Sequence, residues 1–397
     1  MSSESKMTMA AKRLVLIGAG MTGRGQVAQL AYEDGWEITL VDRDAALIER
    51  LRAAGQYSVR LLSADSERQV IVKDFQVIHT SEADALAAAV CQANLIVTCV
   101  IENNLPAAAQ TLAPALAARL RAGADHPLNV IAAENMEHSS SDLRKYVRAH
   151  LAEPLLSALD EWVGFPNSMI SRVVPVADDP LHIITEEYSE WTADLNGCVG
   201  LPPALNGLEW VTNQRARLER KLFIHNTGHV ICGYLGWIRG YRFIHEAAQD
   251  PEIMAHIRGA IAESGEAVSL EHNFPRTEVR AYEEHLLNRL VIAALPDDLR
   301  RVIRHPIRKL GREERLVGPL LLCEKHGLPT AELCFGIAAV LAGCKIPYSY
   351  ASYDDQSERV RASLGRQGPV TALIELTGFR PSPAAAAQIE AAYAALS

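Results

Sequence analysis

Three glycines decide how this chain must begin to fold. Gly18-Ala19-Gly20-Met21-Thr22-Gly23 fits G-x-G-x-x-G, follows the apolar run Leu14 to Ile17 and opens a helical stretch. In such a strand-turn-helix Gly18 permits the tight turn, Gly20 lets backbone approach a pyrophosphate, and Gly23 allows close packing of helix on sheet. The helix start presents free N–H groups and the positive end of its dipole to the phosphates. Asp42 stands 22 residues beyond Gly20 at the end of the next strand. A carboxylate there accepts hydrogen bonds from an adenosine ribose and repels a 2′-phosphate, which favours NAD over NADP as cofactor. Arg43 beside it offers partial accommodation of that phosphate, so residual NADP use stays open. Asp44 reads as a helix N-cap.

Around this turn short apolar runs alternate with helical patterns. Arg13 to Ile17 and Glu37 to Val41 read as strands, Gln26 to Ala31 and Ala45 to Ala54 as helices, which makes a βαβ unit. Tyr57 to Leu62, Gln69 to Val72 and Gln76 to His79 read as short antiparallel strands inserted into the pattern. Asn94 to Val100 and Asn129 to Ala133 return as apolar strands, joined by an Ala-rich crossover helix from Ala107 to Leu120. Strands without polar alternation are buried on both faces, so the fold class is α/β, a Rossmann-like doubly wound domain with inserted short strands. Thr98 and Val100 end one of these strands and join Gly18, Ala19, Gly20, Met21, Thr22, Gly23, Asp42 and Arg43 as expected cofactor-binding residues.

Met169 to Val176 and His182 to Thr185 are further strand-like runs, after which Leu195 to Gly207 gathers three glycines and two prolines. The domain boundary is expected there: 1–12 a flexible N-terminus, 13–200 the dinucleotide-binding domain, 201–397 a helical substrate and catalytic domain. Beyond Trp210 the helical runs are Gln214 to Ile231, Pro251 to Ser264, Glu278 to Leu295, Leu316 to Lys325, Ala331 to Ala342 and the tail Pro383 to Ala395. A chain of 397 residues has room for two or three domains at about 150 residues each.

Composition excludes several function classes. Thirty-nine Lys and Arg against 48 Asp and Glu leave a net charge of −9, which repels nucleic-acid backbones and anionic lipid, though a local basic pocket for a small anion is compatible with it. The seven cysteines are odd in number, dispersed and without a C-x-x-C pair, so neither a disulfide framework nor a thiolate-zinc site is expected, and no metal at all. With neither a signal-peptide pattern nor a long apolar span, the reading is a reduced, cytoplasmic protein whose partner is a small molecule.

The richest polar cluster of the helical half is Lys221-Leu-Phe-Ile-His225-Asn226-Thr-Gly-His229. At about 100° per residue, His225, His229 and Asn226 fall roughly 40°, 80° and 140° from Lys221, on one side of a helix. Leu222, Phe223 and Ile224 before Asn226, and Val230, Ile231 and Cys232 after His229, argue that most of that helix is buried. Polar groups in such a helix need partners or a cleft, because burying them unpaired is costly.

Here the sequence resembles the polyol-specific long-chain dehydrogenases, most closely the mannitol-1-phosphate 5-dehydrogenase branch. The family signature is Lys, four residues, Asn, two residues, His, and Lys221, Asn226 and His229 fill it. Gly18 to Gly25, Glu134-Asn135-Met136, Tyr188-Ser-Glu190-Trp191 and Glu219-Arg-Lys-Leu-Phe also resemble the branch, in the same order along nearly the whole chain. The resemblance implies metal-free hydride transfer between NAD and a secondary alcohol, with the active site between the two domains. Lys221 is then the general base in oxidation and general acid in reduction. A lysine of ordinary pKa, about 10.4, is too basic for that, so burial and cationic neighbours must lower it. Asn226 and Asn135 donate to the developing alkoxide, with Asn135 also beside the cofactor. His229 orients the substrate hydroxyl. His225, outside the signature, is expected near the substrate or in ordinary packing, Glu219 and Arg220 as a solvated pair, and Glu134 as structural.

Substrate charge is the open question. Arg301-Val-Ile-Arg304-His305-Pro-Ile-Arg308-Lys309 packs four cations into nine residues of an acidic chain. A similar stretch ending Arg-Lys-Leu lies near the substrate tail in the phosphate-using branch, which assigns Arg304, Arg308 and Lys309 to substrate binding; arginine forks suit phosphate oxygens. The chain also departs from the branch: Arg289-Leu290-Val-Ile-Ala-Ala replaces an Arg-Phe-Glu-Asn-Pro-like segment, Ile303 stands for glycine, and Ile101-Glu102-Asn103 replaces a glycine-containing loop near the nicotinamide. The leading expectation is a polyol phosphate, mannitol 1-phosphate and fructose 6-phosphate above all. A non-phosphorylated polyol or keto-uronate is the alternative, and a catalytically silent NAD-binding sensor a remote one.

Overall fold

A computed structural model describes residues 11–63, 65–134, 136–175, 178–347 and 355–396. Asn135, Val176 and residues 1–10 of the expected flexible N-terminus lie outside the described residues. The strands among the described residues are β1 (Arg13–Ile17), β2 (Glu37–Asp42), β3 (Gln56–Leu62), β4 (Glu67–Lys73), β5 (Gln76–His79), β6 (Leu95–Thr98), β7 (Leu128–Ala132), β8 (Val163–Gly164), β9 (Ser168–Ser171), β10 (His182–Glu186), β11 (Glu190–Asp194) and β12 (Glu209–Val211). The chain divides into two compact units, 1–62 with 66–215 and 63–65 with 216–397.

In the first unit a six-stranded sheet runs β5-β2-β1-β6-β7-β8, every pair parallel. The apolar runs are continuous because both faces are covered. Leu14 and Leu16 of β1, with Leu40, Val97 and Ile131, point into one core, while Val15 and Ile17, with Val41, Ile96 and Val130, point into the other. The second of these cores is closed by Leu86 and Val90 of the helix Ala83–Gln92, Leu112 and Leu116 of Leu105–Ala122, and Leu143 and Val147 of Ser139–Ala149. The first is closed by a smaller sheet, β10-β3-β4, through Tyr57, Val59, Val72 and Ile183.

This arrangement corrects one expectation. β3 and β4 do form an inserted antiparallel hairpin, but Gln76 to His79 is not part of it: β5 pairs parallel with β2, Leu40 opposite Val77, as the edge of the main sheet. The hairpin reverses the chain twice, the second time at Asp74 with φ 58°, so the next strand runs in the direction of β2. Residues 201–211, placed by sequence in the second domain, pair and pack within the first unit. β12 lies parallel to β11, and the Trp210 indole N–H donates to the Pro203 carbonyl at 3.1 Å.

The second unit is helical. One continuous stretch runs Gln214–Arg220, Lys221–His225 and Asn226–Ile238, its middle segment a wider π-helical turn. Pro251–His272 is longer than expected: Asp250 caps it by accepting from Glu252 and Ile253 N–H, Pro251 occupies the first turn, and Asn273 ends it left-handed. Ile231, Ile257, Ile261, Ile337 and Leu341, all at most 1% exposed, are at the centre of the core. Each such side chain contributes roughly 1.5–3 kcal/mol on burial. Among the described residues no helix is long and apolar enough to cross a membrane.

Candidate active site

The nucleotide turn is built where the sheet changes direction of winding. β1 lies between β2 and β6, so the carboxyl ends of β1 and β6 flank the crevice in which open α/β sheets bind ligands. Gly18 has φ +95°, and a Cβ there would sit 2.2 Å from the Cys99 carbonyl oxygen. At Gly23 a Cβ would sit 2.3 Å from the Gly18 carbonyl oxygen. At Gly20, by contrast, a Cβ would meet nothing within 4 Å. Two glycines are thus required by the protein itself, and the third faces open space, as a turn meant for a pyrophosphate would. Ala19 is buried, while Met21 is half-buried and Thr22 exposed at the start of the helix.

Asp42 is half-buried at the end of β2, and one of its oxygens accepts the Asp44 N–H at 3.0 Å, which orients it. Asp44 caps the next helix through Ala46 and Leu47 N–H, as expected. Arg43 is exposed, with its carbonyl 3.1 Å from His79 Nε2. Thr98 is fully buried, and its Oγ1 has no hydrogen-bond partner among the described residues. An orphaned hydroxyl at the end of β6, open space at Gly20 and a carboxylate ending β2 fit a dinucleotide. Arg24, noticed in the sequence only as part of a motif, locks this turn. It is buried, its Nε donates to the Ala19 carbonyl at 2.6 Å, its Nη1 donates to the Pro180 carbonyl, and it lies over the Tyr57 ring.

In the second unit the π-helical turn carries Lys221 and His225, 5% and 6% exposed. That turn is wider than an α turn and shifts the phase between Lys221 and the following Asn226 and His229, so the simple α-helical angles do not apply across it. Asn226 and His229 are half-buried. His225 Nδ1 stands 3.1 Å from Arg289 Nη1. A guanidinium only donates, so Nδ1 is the acceptor and His225 is neutral with its proton on Nε2. Burial, then Arg289, His229, Lys221 and Arg315, hold its pKa well below the usual histidine range. The His225 and His229 ring centroids are 5.8 Å apart.

His229 has a partner that sequence reasoning missed. Its Nε2 is 2.9 Å from Oδ2 of Asp297, which is 3% exposed and also accepts from Arg301 Nε at 2.7 Å and Nη2 at 2.8 Å. Burial opposes ionisation of Asp297, yet Arg301 and His229 outweigh it and hold the carboxyl well below the ordinary range. The cationic stretch does not act as one solvated face. Arg308 is exposed and Arg304 half-buried with its Nε donating to the Arg301 carbonyl, but Lys309 is 5% exposed and its amine donates to the Arg304 carbonyl. Burial first, then Arg315, Arg308 and Arg304, push the Lys309 pKa well down, with Glu314 pulling the other way. Arg315, also missed, is the shared neighbour of Lys309 and His225 and is anchored where Thr227 Oγ1 donates to its carbonyl. Glu219 and Arg220 are not a solvated pair either. Glu219 meets His272 Nε2 at 2.6 Å, and Arg220 is buried, stacked over Phe274 and Tyr282 and paired with Glu278.

Known proteins match along nearly the whole chain. Residues 12–207 match the mannitol dehydrogenase Rossmann domain, and residues 215–396 the mannitol dehydrogenase C-terminal domain. A mannitol-1-phosphate 5-dehydrogenase of Brevibacillus brevis is 38% identical over 367 residues, 92% of this chain and 93% of that one. Among solved structures, the mannitol 2-dehydrogenase of Pseudomonas fluorescens, in a ternary complex with NAD and D-mannitol, aligns with a TM-score of 0.77 at 20% identity over 98% of this chain and 92% of that chain. A substrate-free D-sorbitol dehydrogenase aligns with a TM-score of 0.78 at 16% identity over 97% and 93%. At those identities the likeness to the two structures is one of fold. The motif resemblance and the domain matches agree, and this chain belongs to the mannitol dehydrogenase family.

Proposed function

We propose that this protein, an NAD-dependent polyol dehydrogenase, interconverts a hexitol phosphate and its ketose phosphate, mannitol 1-phosphate and fructose 6-phosphate in the first place, with Lys221 as acid and base and no metal. The observation that carries the phosphate is Lys309. Its buried amine has Arg315, Arg308 and Arg304 around it against one carboxylate, Glu314, and an anion arriving there favours the charged amine that burial and the arginines oppose. Arg315 and the Arg304 and Arg308 forks suit the oxygens of a phosphate. The 38% identity to a mannitol-1-phosphate 5-dehydrogenase supports the same substrate class.

NAD, when bound, takes or supplies the hydride at the alcohol carbon. The Lys221 amine accepts the hydroxyl proton in oxidation and returns it to the carbonyl oxygen in reduction, so proton and hydride leave one carbinol together. Asn226 and Asn135 donate to that oxygen as negative charge gathers on it. His229, held by Asp297, orients the hydroxyl, and His225 offers its Nε2–H from a fixed neutral ring. A cytoplasmic setting and a small-molecule partner, with neither nucleic acid nor membrane, complete the reading.

The test is turnover with NAD on mannitol 1-phosphate and on mannitol, with NADH on fructose 6-phosphate, fructose and keto-uronates. A kcat/KM at least tenfold higher on the phosphorylated partners supports the reading. Equal activity on both defeats it, and preference for a keto-uronate reassigns the cations to a carboxylate.

A further inference from the structure

The loop after β6 bends through a conformation its residue disfavours. Ile101 has φ 69° and ψ 143°, a region in which only glycine is at ease, and Ile101 is β-branched. Glu134, expected to be merely structural, holds it there. One carboxylate oxygen accepts the Val100 N–H at 2.6 Å and the other accepts the Ile101 N–H at 3.1 Å, while Asn104 Nδ2 donates to the Val100 carbonyl at 2.7 Å. The held loop presses on the nucleotide turn. A Cβ at Gly18 would lie 2.9 Å from Val100 Cγ1 as well as 2.2 Å from the Cys99 carbonyl.

We propose that Glu134 is a positioning residue for the cofactor, whose ionised carboxylate clamps the strained Val100–Ile101 turn beside Gly18 and whose protonation loosens it. An ionised carboxylate offers a strong, charge-assisted acceptor on both oxygens; in the acid the hydroxyl oxygen accepts only weakly, and an amide sets its NH2 against one of the two N–H groups. Glu134 is 8% exposed, and among the described residues the other titratable groups facing it are Glu102 on the loop and the Cys99 thiol just after β6. Burial pushes its pKa up to about 7, with the two N–H bonds pulling the other way and Glu102 adding to the rise. The clamp is therefore set above about pH 7 and slackens as the pH falls through that value. The inference rests on the dinucleotide site alone and is independent of the substrate's charge.

The experiment is NADH titration by fluorescence, without substrate, from about pH 5.5 to 8.5, for wild type, Glu134→Gln, Ile101→Gly and the double variant, each checked for an intact thermal transition. Wild-type Kd rises about tenfold from the alkaline to the acid end, the effect of one charge-assisted hydrogen bond, and Glu134→Gln is weak and flat throughout. Glycine takes the turn unaided, so in the Ile101→Gly background Glu134→Gln changes Kd less than about twofold and the pH dependence vanishes. A Glu134→Gln variant that binds as wild type, or an effect of Glu134→Gln as large in the Ile101→Gly background as in the wild-type background, overturns the proposal. Should Glu134→Gln not fold, Ile101→Gly alone decides, because a pH dependence that survives in it also overturns the clamp.

Discussion

Replacing Asp297 with asparagine removes the one charge on which His229 and Arg301 converge. The carboxylate accepts three charge-assisted hydrogen bonds at 2.7, 2.8 and 2.9 Å and is 3% exposed. Bonds to charged groups contribute about 1.5–3 kcal/mol each. Asparagine keeps one acceptor oxygen, and the Arg301 side chain, 29% exposed, turns partly to water. A loss of about 2 kcal/mol is expected for asparagine and about 3–5 kcal/mol for alanine, which breaks the buried pair outright. In the unit formed by residues 216–397 the asparagine loss corresponds to a Tm lower by roughly 4–8 °C. The folded-state pKa of Asp297 is depressed, so its stabilisation is complete above the ordinary carboxylate pKa, about 3.9, and fades as the pH falls below it. Thermal unfolding at neutral pH and near pH 3.5 should show the gap between wild type and Asp297→Asn narrowing in acid. Steady-state kinetics should show kcat/KM for the polyol down about tenfold, or about 1.4 kcal/mol, with NADH binding unchanged, because His229 loses its orienting partner. Equal Tm and equal kcat/KM at neutral pH would refute this account of the His229–Asp297–Arg301 array.

Two other substitutions separate the cofactor side from the substrate side. Gly18→Ala places a Cβ 2.2 Å from the Cys99 carbonyl at φ +95°; stability should drop by more than about 2 kcal/mol in denaturant titration and NADH binding should weaken beyond tenfold. Lys309→Met removes a buried amine and its desolvation cost, so the helical unit should be as stable or more stable, while KM for the phosphorylated substrate rises about 10–100-fold and that for free mannitol stays put. An equal rise for both substrates would remove Lys309 from phosphate binding.

Local signals made the elements legible. β1 and the helix Ala45–Ala54 have the bounds read from sequence, because an apolar run, the Asp44 cap and Gly55 beyond the last turn are marked within a few residues. The Gly18 turn was readable for the same reason. What pairing across the chain decides was not. Gln76 to His79 was recognisable as a strand, yet its parallel partner β2 depends on two chain reversals. β8 and β12, two and three residues long, carry too little pattern to be seen. Asp297 lies 68 positions from His229 and sits beside Asp298, which caps the next helix, so its sequence context reads as a turn. Arg220 was expected in solvent because nothing near it in sequence announces Phe274 and Tyr282. Glu134 stood in a recognised motif, but its work depends on β6 lying next to β7, which only the sheet order supplies.

The most direct measurement pairs turnover with cofactor binding in Lys221→Ala. Hydride transfer on mannitol 1-phosphate, followed as NADH absorbance, should fall by at least about 10³-fold while the NADH Kd stays within about twofold of wild type. Turnover that persists near the wild-type rate, with NADH bound normally, would contradict a lysine acid and base in this enzyme.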